Sequence, residues 1–520
     1  MGSFLKLSLG GKMIEAIIRK GAYFDSVKLM LVTQQVKSMP GIVEAGVVMG
    51  TDLNKDILAR VNLLSDAARA CSPADLIIAI NAEDQNAFDA VIAQLDGFLN
   101  ASTSSSGSVA YKPKTLVGAI TAQPTSNLVI ISTPGHFAKV EARKALNAGL
   151  HVMLFSDNMP LADEKELKEL AQSKNLLVMG PDCGTSIING AALCFANQVR
   201  RGNIGIVGAS GTGMQEISTL IHKQGAGISH AIGTGGRDLV AEIGGITMLQ
   251  GIQALNEDES TEIIVLVSKP PAAEVVDKIF SYLEKNVSKP VVINFLGGKP
   301  AESHPGRLEY VATLEEAALK AVQLAKKTTL SPLMTADEID SVVTCLKSKI
   351  GSNGKYLRGL FCGGTLNYEA IIVLEEPLGG VYSNSPLDKK MKLQDPYKLT
   401  GNACIDLGDD VFTQGRAHPM IDPTLRSQML AEQINQDDVG VILFDVVLGY
   451  GAHDAPASDV VNILKRHADK LATKVLIASI CGTDEDPQNY EQTKAALENS
   501  GVIIAPSNRC AALIAGKVLA

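Results

Sequence analysis

Tryptophan is absent from this 520-residue chain, and aromatic residues make up only 4% of it. Cores built without them must be filled by Ile, Val, Leu and Ala, the usage of buried parallel strands flanked by helices. The apolar fraction of 46% is enough for large cores. Positive charge is also short: 47 Lys and Arg stand against 56 Asp and Glu, leaving a net −9. That balance disfavours nucleic acid as a partner. No apolar run approaches the ~18 residues a membrane span needs, so no membrane partner is expected either. None of the eight cysteines forms C-x-x-C, which gives no metal knuckle and no disulfide framework. This usage points to a reducing, cytoplasmic setting. A secretory signal is not expected, because Lys6 interrupts a short apolar stretch and no A-x-A site follows. Gly2 opens no myristoylation motif, since position 6 is Lys. Met13 is a candidate native start, with Met1 to Lys12 an extension. Walker A, G-x-S-x-G and H-E-x-x-H are missing too, so neither a kinase nor a simple hydrolase is indicated.

What the chain does carry is a repeat. Gly211-Thr212-Gly213-Met214-Gln215-Glu216 and Gly364-Thr365-Leu366-Asn367-Tyr368-Glu369 both read G-T-x-x-x-E. Each follows an apolar run and opens a helix-like stretch. A strand, a Gly turn and a helix start make an anion site, because bare N–H groups and the positive dipole end face one spot. An ordinary helix capped by Ser210 or Thr212 is the alternative for one copy alone. Two copies in similar surroundings point to a duplicated domain and a divided phosphate site: Ser210, Gly211, Thr212 and Gly213 on one side, Gly363, Gly364 and Thr365 on the other.

The length holds about three to four domains. Residues 1–100 read as a small α/β domain, and 103–108 as a flexible Ser/Gly linker. Residues 109–200 alternate strands and helices, with strands ending in Thr133-Pro134, Ser156-Asp157-Asn158 and Asp182-Cys183. Such carboxyl-end loops line the ligand crevice of a doubly wound sheet. Residues 203–328 form a third unit with the loop Gly235-Gly236-Arg237-Asp238. Residues 356–520 repeat its plan after a polar linker that includes one helix.

Several side chains are candidates for chemistry. Cys183 reads as a nucleophile or as a packed thiol in a turn. Arg416 and His418 precede a helix start at Asp422-Pro423, where a charged pair suits a phosphate or carboxylate; a polar loop with a packed His is the alternative. Asp409, Asp410, Asp445 and Asp454 end predicted strands or loops, where they would hold Mg²⁺, position a nucleophile or simply be solvated. His453 is similarly placed.

From Leu128 onward the chain resembles the succinyl-CoA synthetase superfamily, the NDP-forming acyl-CoA ligases. The segment 180–184 is similar to that family's G-P-N-C-P-G loop, and 205–212 to its G-I-V-S-R-S-G-T run. The full-length pattern is closer to the FdrA-like acyl-CoA-synthetase-like branch, most specifically at 155–158, 179–185, 208–212, 235–238, 268–271 and 418–426. The resemblance implies a Rossmann-like CoA-binding-type domain and two flavodoxin-like ligase-type domains with parallel sheets. It also implies two helix N-termini that face each other around a phosphate. CoA and phosphate are the implied ligands, with Mg²⁺ a further candidate and no tightly bound metal. Thr133, Pro134, Ser156, Asp157, Asn158, Asp182 and Cys183 would present the CoA or acyl partner. Gly235, Gly236, Arg237 and Asp238 would join the phosphate site, and His418, Arg416 and Asp445 would be catalytic.

The departures from the family matter. Its phospho-accepting His stands in a G-H-A-G-A context, whereas here Gly297-Gly298 is followed by Lys299-Pro300 and only later by His304. Its ATP-grasp domain has no counterpart. Three readings stay open: an acyl-CoA-ligase-like enzyme or subunit acting on a small carboxylic acid or acyl phosphate; a carbamoyltransferase subunit that splits an oxalurate-type substrate with phosphate, as the branch's association with purine and allantoin breakdown implies; and a non-catalytic ligand-binding subunit. Co-encoded partner subunits and a homo-oligomer are expected.

Overall fold

The computed structural model describes residues 7–9, 12–22, 24, 26–100, 113–298, 307–413 and 416–520. The linker at 103–108 and the Lys299 to His304 segment lie outside the described residues. Contacts divide the chain into two units, 1–112 with 414–416, and 113–413 with 417–520.

In the first unit, β1 (Leu7–Leu9), β2 (Lys12–Arg19), β3 (Ile42–Met49) and β4 (Leu76–Ala82) form an antiparallel sheet of order β1-β2-β4-β3. The central strand β4 alternates faces as its period of two requires. Leu76, Ile78, Ile80 and Ala82 pack in one cluster with Leu29, Val32, Phe88 and Leu95 from the helices Ser26–Lys37 and Gln85–Asn100. Ile77 and Ala79 pack on the other face with Leu58, Leu63 and Cys71.

The second unit holds three sheets. A small parallel one, β5 (Leu128–Ile131), β6 (His151–Leu154) and β7 (Val178–Met179), keeps the order β5-β6-β7. Next come β8 (Thr185–Ile188), β9 (Ala191–Cys194), β10 (Arg201–Gly208), β11 (Ile228–Gly233), β12 (Ile263–Ser268), β13 (Val291–Phe295) and β14 (Leu308–Tyr310), ordered β14-β13-β12-β10-β11-β8-β9. The last sheet has β15 (Tyr356–Phe361), β16 (Ala403–Asp406), β17 (Val439–Val447), β18 (Val475–Cys481) and β19 (Val502–Ala505), ordered β16-β15-β17-β18-β19.

The duplication is visible in those orders. Leaving out the β8–β9 hairpin, both large sheets are parallel and run second-first-third-fourth-fifth, the flavodoxin-like order. All six residues of β12 and all nine of β17 are buried, as strands covered on both faces must be. Each fully buried Leu, Ile or Val there contributes about 1.5–3 kcal/mol. One apolar cluster runs through both halves, joining Ile206, Met214 and Leu314 to Leu357, Leu366 and Cys510. The β8–β9 hairpin falls within the 109–200 segment read as one domain, yet it pairs antiparallel with β11 and so belongs to the next sheet.

Candidate functional site

Both G-T segments start helices at the carboxyl ends of first strands, Gly211–Lys223 after β10 and Gly364–Leu378 after β15. The first is capped by Ser210, whose Oγ accepts from the Gly213 N–H at 3.0 Å. The second has no cap from its own Gly363. Asp445 on β17 takes that part: its two carboxylate oxygens accept from the Cys362 and Gly363 N–H groups, each at 2.7 Å.

The two helix starts meet. Ser210 Oγ and Thr365 Oγ1 are 2.6 Å apart, and the Thr365 N–H donates to Thr212 Oγ1 at 3.3 Å. A Cβ on Gly363 would stand 2.9 Å from Thr212 Cγ2, so glycine is what permits the approach. The Thr365 amide, expected to be a phosphate donor, is thus spent on Thr212. The N–H groups of Gly211, Thr212 and Gly364 keep no acceptor among the described residues. Three bare amides at two converging positive helix ends suit a tetrahedral oxyanion.

Asp406, at the end of β16, lies against this point: a Cβ on Gly364 would be 2.3 Å from its Oδ2. Its Oδ1 accepts from the Gly408 N–H at 2.9 Å. Burial pushes its carboxyl up to about 6, with Lys269 pulling the other way. Lys269 lies in the 268–271 stretch that carries the family resemblance, and Asp406 ends a strand before Leu-Gly, a legible position for a crevice residue, but the sequence alone gives neither of them a role. His418 borders the same glycine, for a Cβ on Gly408 would lie 2.6 Å from its Nε2 and 3.2 Å from Asp406 Oδ1. Its Nδ1 accepts from the Met420 N–H at 3.3 Å, which assigns the proton to Nε2. The ring keeps some solvent access, which moderates the effect, but burial pushes it down to about 4. His418 is therefore a neutral N–H donor beside Asp406, not the cation of a charged pair.

Other expected site residues divide by what they touch. Asp445 is fully buried with its carboxylate committed to the backbone, so it positions the helix start and is not a reacting group. Asp238, also fully buried, accepts from the Thr247 and Met248 N–H groups and pairs with Lys168 at 2.7 Å, which removes it from the phosphate donors. Arg237 pairs with Glu164 at 2.9 Å and donates to the Met159 carbonyl. Gly235 (φ +85°) packs on Gly180 and Pro181, while Gly236 faces open space bounded by Asp182. Cys183 is 2% exposed and its thiol is pushed up to about 12 by burial, so it is a packed thiol and not a ligand contact or nucleophile. Ser156 is buried too, donating to the Ile131 carbonyl.

Thr133, Pro134, Asp157 and Asn158 are exposed at one end of the small sheet. There the helix Gly135–Asn147 begins with the Gly135 and His136 N–H groups lacking acceptors among the described residues, a fit for an anionic oxygen of CoA. Asp182 stands beside them, reaching solvent at its edge. Desolvation by the surrounding loops, with Asp157 and Asp410 nearby, raises its carboxyl, an effect its solvent exposure moderates. Arg416 is half-buried next to residues 414–415, which lie outside the described set. Among the described residues no group of three His, Cys, Asp or Glu side chains gathers to hold a metal ion. The Asp409, Asp410, Asp445 and Asp454 set therefore forms no Mg²⁺ cage. No described helix is long and apolar enough to cross a membrane.

Comparison with known proteins fits this geometry. A CoA-ligase family model matches residues 360–518, a CoA binding domain model 199–297, and a model described as the AllF heavy metal-associated domain 13–114. The protein YahF of Escherichia coli K12, itself described as uncharacterized, is 42% identical over 508 residues, covering 96% of this chain and 98% of that one. The chain belongs to the FdrA-like branch of the succinyl-CoA synthetase superfamily. The α subunit of the ADP-forming succinate–CoA ligase of Aquifex aeolicus is 32% identical over 178 residues, which is 33% of this chain and 57% of the subunit's length. Among solved structures, a dinucleotide-forming acetyl-coenzyme A synthetase from Ca. Korarchaeum cryptofilum aligns over 75% of this chain and 82% of its own, with 14% identity and a TM-score of 0.32. The heavy-metal name of the first unit finds no matching donor set among the described residues. Its cysteine, Cys71, donates its S–H to the Ala67 carbonyl and is pushed up by burial.

Proposed function

We propose that this FdrA-like chain is an acyl-CoA-synthetase-like enzyme, or a subunit of one, that handles inorganic phosphate or an acyl phosphate between the Gly211 and Gly364 helix starts. The observation that carries the reading is the trio of unclaimed amides on Gly211, Thr212 and Gly364, beside the joined hydroxyls of Ser210 and Thr365. Donors fixed before the reaction stabilise charge as it develops on phosphoryl oxygens, without reorganising. Asp406, its carboxyl raised to about 6 and so still mostly ionised at neutral pH, stands where a proton must be exchanged with such a group. His418 donates through Nε2. CoA, when bound, supplies a thiol as acyl acceptor. The Gly135 helix start with the Thr133, Pro134, Asp157 and Asn158 loops would hold its phosphates. Mg²⁺ is a candidate counter-ion on the phosphate oxygens. A small carboxylic acid or acyl phosphate is the substrate class, with co-encoded subunits and a homo-oligomer completing the assembly.

A second reading is carbamoyl transfer, and one observation favours it. Both nitrogens of His418 are committed, Nδ1 to Met420 and Nε2 to its proton, so the ring offers no lone pair to accept a phosphoryl group. Phosphorolysis needs no such acceptor. A phosphate oxygen attacks the carbamoyl carbon of an oxalurate-type substrate, the C–O bond forms, the C–N bond breaks, and the amide nitrogen leaves with the proton that phosphate gives up.

Incubating the chain, alone and with co-encoded partners, with phosphate plus oxalurate, and separately with CoA, succinate and ATP, tests both. Carbamoyl phosphate supports the second reading, acyl-CoA the first, and no turnover in either leaves a ligand-binding subunit. Thr212→Val with Thr365→Val is expected to impair whichever activity appears. Equal activity of that double variant rules out a part for the two hydroxyls that join the helix starts.

A further inference from the structure

A cavity of about 540 Å³ opens at the other end of the last sheet, lined by Arg358, Tyr397, Lys398, Glu432, Gln433 and Asp438 among others. That volume lies within the range of small-molecule sites, roughly 300–1,000 Å³. Arg358 is out of place by the logic of its strand. It sits inside β15, between β16 and β17, where apolar side chains are the rule, and it is 2% exposed. Its Nε donates to Gln433 Oε1 at 3.0 Å, and its Nη1 donates to the carbonyls of Leu357 and Gly401. Tyr356 lies under the guanidinium, 5.6 Å from ring centre to Cζ. No carboxylate of the described residues comes within ion-pair distance, and Nη2 has no hydrogen-bond partner among them.

A buried cation held only by neutral groups is costly, because desolvation is not offset by an opposite charge. Burial accordingly pushes the Arg358 guanidinium down from its usual value. Asp438 lines the same cavity and favours the charged form from a distance. The fork of an arginine matches carboxylate and phosphate oxygens, and Lys398, 84% exposed at the rim and 3.6 Å from Asp395, is a second cation there. Glu432 and Asp438 add acceptors across the cavity.

We infer that this cavity is a second anion site, in which Arg358 binds the carboxylate or phosphate of a small organic molecule whose hydrogen-bond donors face Glu432 and Asp438. It is separate from the helix pair, because Arg358 lies in the first half of β15 while Gly364 opens the helix beyond its carboxyl end, six residues on and up to ~20 Å away along the chain. The reading does not depend on the activity proposed above.

Titration calorimetry on the full chain tests it, with inorganic phosphate and glycine as probes of the two oxyanion classes. Asn435→Trp is expected to block the cavity from its exposed rim, and Arg358→Gln to remove the charge. Each is expected to weaken at least one probe tenfold or more. Binding that persists unchanged in Thr212→Val, Thr365→Val but is lost in Asn435→Trp assigns it to this cavity. Should Arg358→Gln fail to fold, Asn435→Trp decides alone. Undiminished affinity for both probes in a folded Asn435→Trp protein overturns the inference. So does the absence of any binding at millimolar concentration, which leaves Arg358 as a cation satisfied by carbonyls.

Discussion

Glu216, on the Gly211 helix, accepts at 3.0 Å from the backbone N–H of Asn508, the first residue of the chain's last helix, Asn508–Leu519. Its counterpart Glu369 on the Gly364 helix accepts at 2.8 Å from the N–H of Leu314, the first residue of the helix Leu314–Lys326, and at 2.8 Å from Asn508 Nδ2. One helix closes the first flavodoxin-like half and the other closes the second. Each glutamate of G-T-x-x-x-E therefore satisfies an orphan N–H at the start of the opposite half's closing helix. Both are buried, so the last letter of the motif joins the two halves, while its first letters form the anion site.

That exchange has a pH dependence. Burial pushes Glu369 from the usual 4.5 of a glutamate up to about 7, with Glu216 and Glu315 nearby adding to the effect and the donors from Asn508 and Leu314 opposing it. The folded state thus holds a proton that the unfolded chain releases. The associated stability is complete below about pH 4.5 and is lost as pH rises through about 7, a change on the order of 3 kcal/mol shared within the cluster. Glu369→Gln is expected to flatten this slope, while costing about 1–3 kcal/mol at acidic pH because its amide N–H₂ faces a donor. Urea unfolding at pH 5 and pH 8 measures it. A slope unchanged by the substitution removes Glu369 as its source.

Gly363→Ala is expected to open the joint between the two helix starts. The added Cβ would meet Thr212 Cγ2 at 2.9 Å, Leu366 Cδ1 at 3.0 Å and Asp445 Oδ2 at 3.1 Å. Relief requires the helices to part by several tenths of an ångström, a cost of about 1–3 kcal/mol. Phosphate binding at the helix pair should weaken about tenfold, since three amides from two elements must converge on one ion. Gly236→Ala is the control in the same crevice, where only Asp182 Oδ2 comes within reach, at 3.6 Å. Calorimetry with inorganic phosphate on both proteins decides it; equal affinities would show that the joint does not shape the site.

Strands were the most legible part of the sequence. Val291–Phe295 is nearly all apolar and fully buried, because a strand buried on both faces declares itself locally. The β8–β9 hairpin was legible and missed: Asn189 (φ +53°) and Gly190 (φ +83°) make the Asn-Gly turn that joins two short strands. At the site, the glycine-threonine pairs could be read from their own segments. Asp445 and Asp406 could be read as strand-end acids but their tasks could not, since each reaches the Gly364 helix start from another strand and only the parallel sheet order brings those strand ends together. Asp238 was misread for the related reason that spacing does not reveal whether a polar side chain in a loop turns inward, and of the two readings of Cys183 the packed thiol is the one its burial supports.

Lys168 carries the last prediction. Fully buried, it pairs with Asp238 at 2.7 Å and Glu164 at 3.0 Å and donates to the Thr234 carbonyl at 2.9 Å. It thereby fastens the helix Leu161–Ser173, which covers the small sheet, to the loop after β11 that carries Gly235 and Gly236. Lys168→Met removes the shared cation and strands Asp238 with only its two backbone donors, so a loss of about 3–5 kcal/mol is expected. Replacing the acids together with the lysine should recover much of it, because a buried ion cluster exchanged for apolar residues of similar volume is often neutral. Urea unfolding of Lys168→Met beside the triple variant Lys168→Met, Glu164→Met, Asp238→Leu distinguishes a broken charge balance from lost packing. If the triple variant is at least as destabilised as the single one, the capping of Thr247 and Met248 by Asp238 outweighs the ion pairs in holding that loop.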